Sequence, residues 1–197
     1  RFARSASWER WWFSGDPVAT AWHNALSVAF PRGEVFFIES VKQHRVGAPP
    51  KLEAEIRAFT VQEVNHTREH IAFNRLACEA GYDITSLDRR LDDLIATANE
   101  RPPIANLAAT LALEHFTAIM AHQQLKNPER FLRLPDEIAD LWIWHAVEEI
   151  EHKAVAYDTW LHATKEWSRW KRWSVKSRLM LVATRNFLRD RLADMHD

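Results

Sequence analysis

Two segments of this chain, Glu63-Val-Asn-His66 and Glu149-Ile-Glu-His152, repeat one arrangement, Glu-x-x-His, inside long stretches whose apolar residues recur at helical spacing. On a helix, a residue three positions on sits about 60° round the axis and one turn along, so the carboxylate and the imidazole project into the same space. In the second segment Trp142, Val155 and Ala156 mark that space as interior. Ionisable groups on a buried face are costly unless something pairs with them. A chain with two such faces is constrained to bring them together around a counter-charge.

The rest of the sequence supplies the helices to do so. Glycine is scarce, at 4 of 197 residues, and β-branched runs bounded by turn residues are missing, so the expected class is all-α. Residues 1–14 are aromatic and basic without clear periodicity. Asp16-Pro17 reads as an N-cap followed by proline at the first helical position. That helix is expected to run to about Phe30, to be interrupted by Pro31-Arg32-Gly33, and to resume from Glu34. Pro49-Pro50 opens a long helix closed by Gly81, residues 84–99 read as a short polar connecting helix, and Pro102-Pro103 precede a helix over roughly 104–125. Leu134-Pro135-Asp136 starts one expected to continue to about Ala163. The expectation is a single domain over 1–197, with a bundle core at about 17–163 and an amphipathic helix over about 164–195. In that tail, Lys165 to Arg191 holds nine Lys or Arg against two acidic residues, with Trp167, Trp170 and Trp173 interleaved. It fits packing on the bundle or on a partner subunit, or peripheral attachment to an anionic membrane.

The two helices without Glu-x-x-His then need one acid each. Glu34 lies among apolar residues in GEVFF, and Glu114 is the first acidic residue of LAATLALEHFTA. A lone Glu followed by Glu-x-x-His therefore occurs twice along the chain. Four converging carboxylates would repel without cations, and imidazole plus carboxylate oxygen suits iron, manganese or zinc. With a single cysteine, Cys78, and hence no thiolate set, two ions of iron or manganese are favoured over zinc. His70, one turn beyond His66, and His145, one turn before Glu149, share the inner stripe, either as metal ligands or as hydrogen-bond partners of a ligand carboxylate. Glu149 is preferred to its neighbour Glu148 because it keeps the phase of the other half. Glu69 and Glu151 point about 100° or more away from the stripe and read as solvent-facing. His115 and His122 read as structural or surface residues, and His23, His44 and His162 as incidental. Tyr157, about 140° round from His152, reads as outside the site.

This pattern resembles the ferritin-like dinuclear carboxylate proteins over about 34–152. FPRGEVFFIESV, FTVQEVNHTREHIAFN, LALEHFTA and WHAVEEIEHKAVAYD are similar to motifs of the bacterial family described as predicted metal-dependent hydrolases. The resemblance implies a ferritin-like four-helix bundle with a dinuclear site, held by one Glu from each of two helices and Glu-x-x-His from the other two.

Three activities follow from such a site. The leading expectation is an O2-dependent, di-iron oxidase or oxygenase acting on a small apolar or acyl substrate, given Phe36, Phe37, Phe73 and Phe116 nearby. It would draw on an external electron donor, because no flavin or nicotinamide fingerprint is present. The alternatives are a hydrolase using a metal-bridged water, as the family description implies, and a non-catalytic iron-binding or storage protein. A formal net charge of −1 gives no sign of a nucleic-acid partner. No signal peptide appears and no apolar run reads as long enough to span a bilayer, so a cytoplasmic place, peripheral to the membrane at most, is expected. A homodimer is compatible with the sequence.

Overall fold

Prolines and a capping aspartate set where the long helices begin. In the computed structural model, which describes residue 2 and residues 9–195, α1 spans Pro17–Lys42, α2 Pro50–Glu79, α3 Thr85–Asn99, α4 Pro103–Lys126, α5 Asp136–His152, α6 Val155–Ala163 and α7 Arg169–Asp194. A 3-10 turn, Pro128–Arg133, links α4 to α5, and no strand occurs among the described residues. Asp16 accepts hydrogen bonds from the backbone N–H of Val18 (2.9 Å) and Ala19 (3.1 Å), stabilising the start of α1. Gly81, at φ 93°, takes the left-handed conformation that ends α2. The architecture is thus an all-α bundle.

Two expectations about continuity are corrected. Helix α1 runs unbroken through Pro31, with no interruption at 31–33. Proline removes the N–H that would have bonded the Ser27 carbonyl four residues earlier. Asn74 of α2 replaces it, donating from Nδ2 to that carbonyl at 3.0 Å. The helix expected over 135–163 is instead divided directly after His152, where Lys153 and Ala154 form a turn between α5 and α6. No glycine or proline stands there.

Two apolar clusters bracket the middle of the bundle. One gathers Phe37, Ile56, Phe59, Leu107, Leu111 and Trp160; the other gathers Trp12, Phe13, Leu26, Phe73, Ile138 and Trp142. Along α2 the order is Phe59, Glu63, His66, His70, Phe73, so the polar layer lies between the clusters. Helix α4 also corrects the sequence reading, since an 18-residue stretch of it, at mean hydropathy 1.4, is long and apolar enough to cross a bilayer. It packs against α1, α5, α6 and α7, and its mid-helix Glu114 is buried, which accounts for its apolar composition by core packing.

Helix α7 lies on α4 and α1 through Val175, Leu179 and Phe187, the last stacked on Phe116 at 5.4 Å. Its outer face presents Trp170, Trp173, Leu181, Leu188 and Leu192. Residues 3–8 of the aromatic, basic N-terminal stretch lie outside the described residues, but Phe2 packs on Trp144 at 5.2 Å. Its backbone N–H donates to Glu69 at 3.0 Å, and Arg68 Nε donates to the same carboxylate at 2.9 Å. Glu69 is therefore buried, against the expectation that it faces solvent. Phe2 and Arg68 cover its carboxylate on that side of α2. Glu151, His115 and His122 are exposed.

His23 turns out to be part of the core rather than incidental. Its ring stacks on Phe13 at 4.5 Å and meets Trp142 edge-on at 4.8 Å, with Nδ1–H donating to the Ala19 carbonyl at 2.7 Å. Burial lowers its pKa to about 4, against the opposing pull of the Ala19 bond. The unfolded chain therefore takes up this proton first as pH falls, and stability present above pH ~6.5 is lost between there and about 4. Allowing for partial solvent access, the loss is on the order of 2 kcal/mol. His23→Phe should flatten the acid limb of a denaturation-versus-pH curve by that amount; an unchanged limb would refute the assignment.

Candidate metal centre

Four helices each deliver acid to one buried layer. Glu34 comes from α1, Glu63 and His66 from α2, Glu114 from α4, and Glu149 and His152 from α5, each residue at most 4% exposed. The reason is periodicity: each residue falls on the face that its own helix turns inward. His66 Nδ1 lies 3.4 Å from Glu63, 3.8 Å from Glu149 and 3.9 Å from Glu34. His152 Nε2 lies 3.1 Å from Glu63, 3.6 Å from Glu114 and 3.7 Å from Glu149. Three overlapping groups have donor atoms within 4.8 Å of one another: Glu34, His66 and His145; Glu63, His66 and Glu149; Glu63, Glu114 and His152. His70 belongs to none of them.

Second-rank partners fix which nitrogen of each ring faces the layer. Gln62 Nε2 donates to Glu151 at 2.8 Å, so its oxygen faces His152 Nδ1 at 3.1 Å and must accept. That holds the His152 proton on Nδ1 and leaves Nε2 for the site. Glu148, half-buried, sets its Oε2 3.0 Å from His66 Nε2, which orients His66 Nδ1 inward. Glu148 and Glu149 therefore stand in different places, one behind an imidazole and the other among the converging carboxylates.

A longer chain reaches Glu149 from the other side. Asn74 donates to the Ser27 carbonyl, so its Oδ1 accepts from Ser27 Oγ at 2.6 Å. The Ser27 oxygen is then free to accept from His70 Nδ1–H at 2.8 Å, and His70 Nε2 accepts from His145 Nδ1–H at 2.8 Å. Neutral His145 thus presents its Nε2 lone pair toward Glu149 Oε1 at 3.0 Å. Two acceptors at that separation call for a proton or a cation. Burial, followed by neighbouring imidazoles, lowers the pKa of His70 and of His145, which keeps both rings neutral. Sequence reading missed Ser27, Gln62, Asn74 and Thr67, whose Oγ1 donates to Glu34 at 2.9 Å. The four-residue stripe His66, His70, Asn74 was the available signal for Asn74.

The electrostatics are those of acids crowded beyond what burial tolerates. Burial, then Glu63, raises the pKa of Glu34 well above its usual range; burial, then Glu149 and Glu63, does the same to Glu114. Burial works to lower the pKa of His66 and His152, but the carboxylates around them prevail and push them to about 10 and about 11. Burial likewise works to raise Glu149, and the His145 and His152 imidazoles beside it overcome that, holding it well below its usual range.

The donor set fits a metal. Glu34 Oε1, both oxygens of Glu63 and of Glu114, Glu149 Oε2, His66 Nδ1 and His152 Nε2 are all buried without a hydrogen-bond partner. Buried polar atoms are rarely left so, and these all face one space. A cavity of about 820 Å³, bounded in part by Trp22, Phe30, Met120 and Trp142, leads to Glu149 and His145. Its outer wall includes Asp16, Glu129 and Arg130, so the approach is polar where the chain meets solvent.

No curated protein and no solved structure matches this chain. A family model does, over residues 1–196, and its description is predicted metal-dependent hydrolase. The all-helical arrangement with buried Glu and His groups fits a ferritin-like metal site. Nothing found bears out the oxidase expectation, and hydrolysis, the alternative, agrees better with the match. A layer of Glu and His able to hold metal, inside a chain matched almost end to end, places this protein in the family of predicted metal-dependent hydrolases.

Proposed function

We propose that the protein is a hydrolase whose active centre is a pair of metal ions held by Glu34, Glu63, His66, Glu114, Glu149 and His152. The observation that carries this reading is the set of buried, unpartnered oxygens and nitrogens that these six residues turn toward one another. The three groups overlap in series: His66 links Glu34 and His145 to Glu63 and Glu149, and Glu63 links these to Glu114 and His152. Carboxylate oxygen with imidazole nitrogen suits iron, manganese or zinc. When bound, such cations supply Lewis acidity, which polarises a carbonyl or phosphoryl oxygen and acidifies water.

The protein's own residues do the rest. Glu63 and Glu149 hold both halves of the site at fixed spacing. Gln62 and Glu148 keep His152 and His66 turned inward, and the Ser27–His70 chain turns the neutral His145 Nε2 toward Glu149, where it can take a proton or bind a cation. Trp142, Phe30 and Met120 supply apolar wall to the cavity that reaches Glu149 and His145.

The test is to strip the protein of metal, reload it separately with iron, manganese and zinc, and assay carboxylic and phosphoric ester hydrolysis. Hydrolysis that disappears with the metal and returns on reloading is expected. A second reading, O2-dependent oxidation fed by an external electron donor, draws on the four carboxylates and two imidazoles spread over four helices. It predicts bound iron with a near-ultraviolet absorption that changes on reduction and O2 exposure, with no ester cleavage under any metal. Many irons per chain would instead mark storage.

A further inference from the structure

We propose that the substrate of this centre is an ester or thioester of a linear hydrocarbon acyl chain, and that the chain is seated in a second cavity ending at Glu34. This rests on the hydrolytic reading and deepens it. The cavity, of about 230 Å³, lies between α1, α3, α4 and α7. Leu94, Ala109, Leu113, Leu179 and Phe187 give it an almost wholly apolar wall. Its polar lining includes Arg101, Asn186, Asp190 and Arg191 together with Glu34, whose buried Oε1 has no hydrogen-bond partner. An apolar slot that ends at a candidate metal ligand suits a molecule that is hydrocarbon along its length and polar at one end. Along that apolar wall a sugar, nucleotide or peptide would bury polar groups without partners, at a cost of a few kcal/mol each.

Leu26, Phe30, Thr117 and Met120 line both cavities, so these side chains form the wall between the two. The acyl chain occupies this apolar cavity, which puts the acyl carbon beside Glu34. In the reaction the oxygen of water bonds to that carbon and the bond from carbon to the departing oxygen or sulfur breaks. The leaving atom takes one proton of the water, and the second is released as the acid ionises.

Gly33 gives a direct test. It lines the cavity next to Glu34, and a Cβ built on it meets nothing within 4 Å, so Gly33→Leu puts bulk into the slot with no clash at its root. Two measurements are made on the metal-loaded protein and on the variant. In the first, kcat/KM is followed along a series of p-nitrophenyl esters from acetyl to octanoyl. Wild type should gain up to about fourfold per added methylene, the factor for burying one CH2. Gly33→Leu should lose at least tenfold on octanoyl and less than twofold on acetyl. In the second, binding of octanol, a neutral chain without a scissile bond, is measured by calorimetry and should weaken tenfold or more in the variant.

A flat chain-length profile in an active protein, an equal loss on every ester, or no octanol binding to wild type overturns the proposal. Octanol binding that Gly33→Leu weakens, with no ester cleaved at any length, upholds the chain site and overturns the hydrolytic reading alone.

Discussion

Glu63→Ala or Glu149→Ala should each lower bound metal from about two ions per chain to fewer than one, the largest single-residue effect expected in this protein. Both carboxylates lie near imidazoles from both Glu-x-x-His helices: Glu63 approaches His66 and His152, and Glu149 approaches His66, His145 and His152. A carboxylate shared between two ions supports both, so its loss weakens both. Glu34→Ala and Glu114→Ala, each at one end of the layer, should cost about one ion. Glu79→Ala is the control, since that side chain is exposed and pairs with Arg75 of its own helix. Glu69, although also outside the layer, is unsuitable as a control because it is buried and fastens the N-terminal segment to α2. Elemental analysis of each purified variant, with helix content checked by circular dichroism, decides the matter. Full metal in Glu63→Ala and Glu149→Ala would remove the ligand assignment.

The readable part of this site was the part written at helical spacing. Glu63 with His66 and Glu149 with His152 can be recognised because an apolar helix face and a polar pair at three residues' separation leave one direction for both side chains. Glu34 and Glu114 were legible for a related reason, as lone acids in apolar surroundings. What the sequence concealed was settled by partners remote along the chain. Pro31 looks like a break, and only Asn74, on another helix, supplies the hydrogen bond that lets α1 continue. The same Asn74 orders Ser27 and so decides which nitrogen His70 and His145 turn toward Glu149. Glu69 was assigned to solvent by its angle, yet whether a helix face meets water depends on what else the chain lays over it. The division after His152 has no local marker. Spacing within one helix is a property of the sequence, whereas the covering of a helix is a property of the whole fold.

Chelation should lower the melting temperature by roughly 8–16 °C for each ion removed, if the ions are initially present at about a thousandfold over their dissociation constants. The arithmetic is mass action: a ligand that binds only the folded state at that excess adds about 4 kcal/mol. For a chain of this size each kcal/mol moves the melting temperature by about 2–4 °C. The stripped protein should nevertheless stay folded, because protons can stand in for the cations. The carboxylates that push His66 to about 10 and His152 to about 11 keep both rings protonated near neutrality, and Glu34 and Glu114 hold protons through burial and mutual repulsion. Metal must displace those protons, so its apparent affinity should fall about tenfold per pH unit for each proton released as pH is lowered. The gap between melting curves with and without chelator should therefore be wide at pH 7.5 and narrow at pH 5.5. Coincident curves at both pH values, in samples shown by elemental analysis to have lost their metal, would mean that the buried layer is held together without cations.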